Sequence, residues 1–213
     1  MLAHTLAAQA RKPSGLLGRL FGMGMGRINQ GVNDWVISLL ELQPSDHVLE
    51  IGFGPGKALR KVLNLVPDGR VAGLDMSATM MKQATRLNRL AIQHGKADLQ
   101  LGEAARMPFA NASFNRIFCV NVVYFWQNPD LEFQQMHRVC RPGGMVAVYI
   151  GDRQQMAGIP MTRTGIFKLY GADDIKRLLQ KAGFSDVNIH EASIAQGPIS
   201  KGACITARRM SMA

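Results

Sequence analysis

The chain is poor in cysteine, in aromatic residues and in uninterrupted apolar runs, and its first 33 positions contain no acidic side chain. Three cysteines, Cys119, Cys140 and Cys204, are an odd number without C-x-x-C spacing. Neither a disulfide framework nor a zinc site is expected, no metal is called for, and a reducing, cytoplasmic setting is the default. The longest apolar run, Ile117 to Trp126, is interrupted by Asn121, and it falls far short of the roughly 20 residues that span a bilayer. The basic pair Arg11-Lys12 follows the first apolar stretch, the reverse of a secretory signal. An acid-free, Arg-bearing start has some likeness to a mitochondrial transit peptide, but this one is poor in Ser and rich in Gly. No block of like charges marks a solvated tail.

What is present suits one ordinary domain: 213 residues, 47% hydrophobic and 19% charged, with the two kinds mixed along the chain. That excludes a disordered chain, a collagen-like repeat and a coiled-coil rod. Lys and Arg number 25 against 15 Asp and Glu, a net charge of +10. Such an excess invites nucleic acid or an anionic membrane. It is spread thinly, however, and the acid-free start carries only Arg11, Lys12, Arg19 and Arg27.

Gly15 to Gly26 holds five glycines among Leu, Phe and Met. Each glycine costs about 1 kcal/mol in a helix, so a mobile or packing-dependent segment is expected. A firmer helix is predicted over Asn29 to Leu42, with Val32, Trp35, Val36, Leu39 and Leu40 on one face. Beyond Pro44, short apolar runs alternate with helices. Strands are predicted at His47–Ile51, Arg70–Asp75, Ala97–Leu101, Asn115–Val120, Met145–Ile150, Val187–Glu191 and Ala203–Arg208. Helices are predicted at Gly56–Leu65, from a Ser77 cap to Gln93, and at Pro129–Cys140 and Ala172–Ala182. This alternation predicts an α/β fold: a doubly wound, mostly parallel seven-stranded sheet with the last strand antiparallel. Residues 1–43 read as a helical, Gly-rich cap and 44–213 as the main domain.

The sharpest feature is Glu50-Ile-Gly52-Phe-Gly54-Pro-Gly56, directly after the first strand. Glycines there let a ligand approach backbone N–H groups beyond the carboxyl ends of the strands. Asp75 ends the second strand, where its carboxylate can accept both hydroxyls of a ribose. A purely structural turn is one reading. A nicotinamide dinucleotide is another, although its G-x-G-x-x-G fingerprint wants a third glycine where Lys57 stands. A phosphate loop lacks its Gly-Lys-Ser/Thr. A nucleoside ligand without a pyrophosphate is the fourth.

The run VLEIGFGPG, followed by Asp75, then Gly102-Glu-Ala, then Arg141-Pro-Gly-Gly, resembles the class I S-adenosylmethionine-dependent methyltransferases. The likeness is strongest to the small-molecule branch that includes quinone C-methyltransferases. The resemblance implies a Rossmann-like methyltransferase fold and S-adenosylmethionine as cofactor, with S-adenosylhomocysteine as product and no metal. It implies that Glu50, Gly52, Gly54 and Gly56 surround the methionine moiety and that Asp75 holds the ribose. Met76 would pack on adenine, Glu103 and Ala104 would meet the adenine edge, and Asn121 would line the cavity near the reactive methyl. Two departures stand out: Glu103 where Asp is common, and Phe114-Asn115 where Phe-Asp is common.

Asn121-Val-Val-Tyr124 lacks both prolines of the Asn-Pro-Pro-Tyr of nucleic-acid amino-methyltransferases, so a nucleic acid partner is not expected. No catalytic base is singled out. Tyr124, Trp126, Met156 and Met161 are the candidates for an acceptor pocket, whose soft side chains suit a small, partly apolar molecule. A second reading lays residues 1–28 on an anionic membrane surface, methylating a phospholipid headgroup or a quinone. A third is a cofactor-binding protein without activity. Oligomeric state carries no sequence signal.

Overall fold

The short apolar runs assemble into one sheet. The computed structural model describes residues 1–211. Its strands are His47–Ile51 (β1), Arg70–Asp75 (β2), Ala97–Leu101 (β3), Phe114–Val120 (β4), Cys140–Gly151 (β5), Phe184–Ala192 (β6) and Gly202–Arg209 (β7). They lie in the order β3-β2-β1-β4-β5-β7-β6. β1 to β5 pair parallel, and β7 runs antiparallel to both β5 and β6. This is the predicted seven-stranded α/β sheet.

The helices are Leu2–Arg11 (α1), Gly15–Ile28 (α2), Gln30–Leu39 (α3), Lys57–Leu65 (α4), Ala78–Leu87 (α5), Arg89–Gln93 (α6), Pro129–Val139 (α7), Arg153–Ala157 (α8) and Ala172–Lys181 (α9). Strand side chains alternate between two faces. On one face Leu49, Ile51, Ile117, Val146 and Val148 pack with Phe133 and Met136 of α7 and with Ile175 and Leu179 of α9. On the other, Val48, Phe118, Ala147 and Tyr149 meet Val32 and Val36 of α3 and Leu59 and Val62 of α4. The third helix of the N-terminal stretch is therefore built into the sheet packing, whereas α1 and α2 lie over the edge described below.

Two local expectations are corrected, and Gly15 to Gly26 takes the packing-dependent of its two expected forms. The glycine-rich segment is helical because its glycines are contact points. A Cβ on Gly22 would stand 2.5 Å from Met80 Cε, one on Gly26 2.8 Å from Pro55 Cγ, and one on Gly18 2.6 Å from the Pro13 carbonyl carbon. Close packing replaces the propensity the glycines lack. The long helix after Ser77 breaks at Asn88, whose buried Nδ2 donates to Gly56 O at 3.1 Å and Ala84 O at 3.0 Å. The fifth strand begins at Cys140 rather than Met145, with a register shift opposite Phe114–Arg116. Ser77 does cap α5, its Oγ accepting the Met80 N–H at 3.2 Å. Where the family commonly carries Asp, the Asn115 amide oxygen accepts from the His47 N–H at 2.9 Å and Arg141 Nη1 at 3.1 Å. A neutral carbonyl is enough for that tie.

A close approach on the antiparallel side yields a prediction. Gly202 lies where any Cβ would collide with the hydroxyl of buried Tyr149. Gly202→Ala should lower stability by about 1–3 kcal/mol, read as a lower urea midpoint at unchanged m.

Candidate active site

The parallel strands leave their carboxyl ends on one edge, and the chain segments that follow them enclose a cavity of about 300 Å³. Past β1, Gly52, Gly54 and Gly56 adopt φ of 75°, 52° and 81°, a region L side chains avoid. A Cβ on Gly52 would strike Val122, whereas one on Gly54 would meet nothing within 4 Å. The Gly54 backbone thus fronts the cavity bare. Gly56 stands behind the turn, its missing Cβ leaving room for Asn88 and Ala84.

Of the residues expected at the site, Glu50, Gly52, Gly54, Asp75, Met76, Glu103, Ala104, Asn121, Tyr124, Trp126, Met156 and Met161 all line this one cavity. Gly56 does not. Met161 belongs to a 3-10 turn, Pro160–Arg163, and Met156 to α8, so both come from the segment after β5. Trp126 also packs edge-to-face on Phe133 at 5.0 Å, combining wall and core.

Two carboxylates sit at the β1 and β2 exits. Asp75 Oδ2 accepts the Gly54 N–H at 2.9 Å and Oδ1 the Ser77 N–H at 2.8 Å, so each oxygen retains a free lone pair. Burial outweighs these bonds and raises the Asp75 carboxyl to about 6. Glu50 is 5% exposed and its Oε2 has no partner. Burial, reinforced by the neighbouring Asp75 charge, holds it well above the usual carboxylate range. An orphaned buried oxygen beside a second acid is a site prepared for a cation and for hydroxyl donors.

Toward β5 the floor is a polar chain. Asn121, at φ 59°, donates through Nδ2 to Gln196 Oε1 at 3.0 Å and to Asn29 Oδ1 at 3.3 Å. The Tyr124 hydroxyl donates to Asn121 Oδ1 at 3.3 Å and accepts the Gly151 N–H at 2.6 Å. Gln196 Nε2 donates to the Tyr149 hydroxyl at 2.7 Å. Burial pushes the Tyr124 phenol far above its ordinary value, so it acts as a neutral hydrogen-bonding group. Aromatic rings of Tyr124, Phe125 and Phe167 cluster here, with Phe125 and Phe167 centroids 4.7 Å apart. Glu132, 4% exposed, adds a carboxyl oxygen without a partner, and burial raises it too.

Several of these groups escape sequence reasoning. Asn29, Phe167 and Gln196 lie in segments without a motif, and Glu132 reads as an ordinary first-turn acid of α7. The roof comes from α2, whose Phe21, Gly22, Met25 and Gly26 close over the cavity. Met23 of the same helix faces outward. The thiols are spent on the core: Cys119, Cys140 and Cys204 are buried, the last two raised by burial to about 12. Among the described residues no cluster of His, Cys, Asp and Glu could hold a metal ion, and no helix is long and apolar enough to cross a membrane.

Comparison with known proteins agrees with this geometry. Residues 48–144 match the family described as a methyltransferase domain. Over 188 residues the chain is 27% identical to an uncharacterized methyltransferase, YdaC, of Bacillus subtilis (strain 168), covering 88% of this chain and 97% of that protein. It is 32% identical over 157 residues to an arsenite methyltransferase of Halobacterium salinarum, covering 70% of this chain but 39% of that protein. The Haemonchus contortus phosphoethanolamine N-methyltransferase 2, solved with S-adenosyl-L-methionine, superposes with a TM-score of 0.75 at 14% identity, over 91% of this chain and 57% of that one.

The Asp75 environment fixes two opposite pH slopes. Because the folded carboxyl is raised, the ligand-free protein has its full Asp75 contribution to stability below about pH 4 and loses it as pH rises through about 6. A ligand whose hydroxyls bond the carboxylate favours the ionised form. S-adenosylhomocysteine affinity should therefore climb by up to about tenfold per pH unit below 6 and level off above about 7. Calorimetry across pH checks this, and Asp75→Asn should flatten the dependence.

Proposed function

We propose that this chain, a class I S-adenosylmethionine-dependent methyltransferase, passes the cofactor's methyl group by in-line displacement to a small, partly apolar acceptor. The observation that carries the reading is a single cavity. Its β1–β3 side presents bare glycine backbone and two poised carboxylates, and its β4–β5 side presents aromatic and methionine side chains. S-adenosylmethionine supplies, when bound, a methyl group already activated by its sulfonium.

The donor set fits that cofactor. Asp75 has one lone pair per oxygen left for the ribose hydroxyls, and the orphaned Glu50 oxygen suits the cationic methionine end. We assign Gly52 and Gly54 to the methionine moiety and Gly56 to holding that turn from behind. Met76, Glu103 and Ala104 are assigned to adenine. Asn121 is held by Gln196 and Asn29, and its place at the β4 exit fits a wall beside the transferred methyl. What the protein supplies is alignment and exclusion of water. Relatives differ in acceptor, and the buried thiols here argue against an arsenite-type thiol chemistry. On the acceptor side we assign Tyr124, Trp126, Met156 and Met161 to the wall. Glu132, with its free buried oxygen, takes the hydrogen of the acceptor's nucleophilic group.

Calorimetry with S-adenosylhomocysteine tests the cofactor assignment. Binding should weaken by about a hundredfold in Asp75→Ala, the scale of two hydrogen bonds to a charged group. Binding of NADH in place of S-adenosylhomocysteine would sink the reading.

Screening acceptors for S-adenosylhomocysteine release tests the acceptor side. With any turned-over acceptor, Glu132→Gln should cut kcat by about 10²-fold or more and remove the acid limb of its pH profile, leaving cofactor binding intact. A wild-type profile in that variant would remove Glu132 from the mechanism.

A further inference from the structure

Helix α2 is turned inside out relative to an ordinary surface helix. Its small residues Gly18, Gly22 and Gly26 face the protein, whereas Leu16, Leu17, Leu20 and Met23 face solvent. Leu16 is 73% exposed, Leu17 50% and Leu20 55%, and Met23 shares their face by the 3.6-residue repeat. Gly24 sits among them, a Cβ there meeting nothing within 4 Å. The apolar strip is thus unpartnered, contiguous and borne by a helix whose other side is pinned. Gln83 Nε2 donates to Arg19 O at 3.1 Å and Ser77 Oγ to Pro13 O at 2.5 Å, tying α2 and the turn before it to α5.

Charge selects the occupant. Lys12, Arg19 and Arg27 are exposed around this strip. None is in an ion pair among the described residues. No acid occurs before Asp34, and that residue is paired with Lys61 at 2.7 Å. A second copy seated on the strip would bring two cationic faces together in a chain of net charge +10, which is unfavourable. An apolar helical face rimmed by Lys and Arg and free of acids matches the headgroup layer of an anionic bilayer, where leucines enter the acyl boundary and basic side chains reach lipid phosphate.

We propose that the outer face of α2 docks this protein on an anionic lipid surface. Because the inner face of the same helix roofs the cavity through Phe21, Gly22, Met25 and Gly26, docking sets the cavity against the bilayer, within reach of acceptors dissolved in lipid. The surface proposal goes beyond the methyl-transfer reading and has its own readout.

The experiment is co-sedimentation of the full chain with phosphatidylcholine–phosphatidylglycerol vesicles and with phosphatidylcholine alone. Pelleting is expected with the anionic vesicles and should weaken at high salt. Replacing Leu16, Leu17 and Leu20 together by Ser should lower the partition coefficient by about tenfold or more, and Arg19→Gln with Arg27→Gln should lower it in proportion to charge. None of these side chains lines the cavity, so calorimetric S-adenosylhomocysteine binding should be unchanged, which also certifies folding. Absence of pelleting, or pelleting indifferent to the leucines, overturns the proposal. Self-association lost in the leucine variant, without vesicle binding, overturns it too and gives the face to a second copy. Loss of cofactor binding in the parent protein would instead overturn the methyl-transfer reading.

Discussion

Parallel pairing of β1 between β2 and β4 holds the site together, because it delivers three chain exits to one edge in fixed register. The residues just past β1, β3 and β4 are each tied to a neighbouring strand by one backbone bond. The Gly52 N–H donates to Leu74 O at 2.7 Å, the Gly102 N–H to Asp75 O at 2.9 Å and the Asn121 N–H to Tyr149 O at 3.1 Å. That is how Gly54 and Asp75, 21 residues apart, come to share a 2.9 Å bond. A slip of one residue would exchange Glu50 for Ile51 on the cavity side and send a carboxylate into the hydrophobic layer.

The same geometry explains the electrostatics. Two acids buried side by side are unfavourable in a resting protein, and each is shifted toward its neutral form. A bound ligand offering hydroxyls and positive charge would relieve both at once. Further along the cavity the polar groups satisfy one another. Tyr124, Asn121, Gln196 and Tyr149 form a continuous chain of hydrogen bonds, leaving Glu132 as the acid there with an unclaimed oxygen. The cavity is therefore divided by chemistry: charge and bare backbone toward β3, aromatic surface toward β5.

The cap adds a different principle. Glycine lowers helix propensity, yet α2 is a helix because each inward glycine admits a neighbour that any side chain would displace. Leu16, Leu17 and Leu20 consequently face outward. One segment then lines the cavity on one side and presents an apolar strip to solvent on the other.

Sheet class, strand positions and the carboxyl-end location of the site were legible from the one-dimensional pattern, since strand periodicity, glycine turns and Asp75 are local signals. Twelve of the thirteen expected site residues meet at one cavity because they sit at strand exits, where topology leaves little choice. Tertiary packing decided the rest. Whether Gly15 to Gly26 would be helix or coil depended on Met80 and Pro55, residues far away in sequence. The partners of Asn121 came from Asn29 and Gln196, 92 and 75 residues distant. Gly56 resembles its two companions in sequence, yet the packing of Asn88 placed it behind the turn. Local periodicity and turn chemistry are written residue by residue, whereas a cavity wall is a coincidence of distant side chains that exists only once the chain has folded.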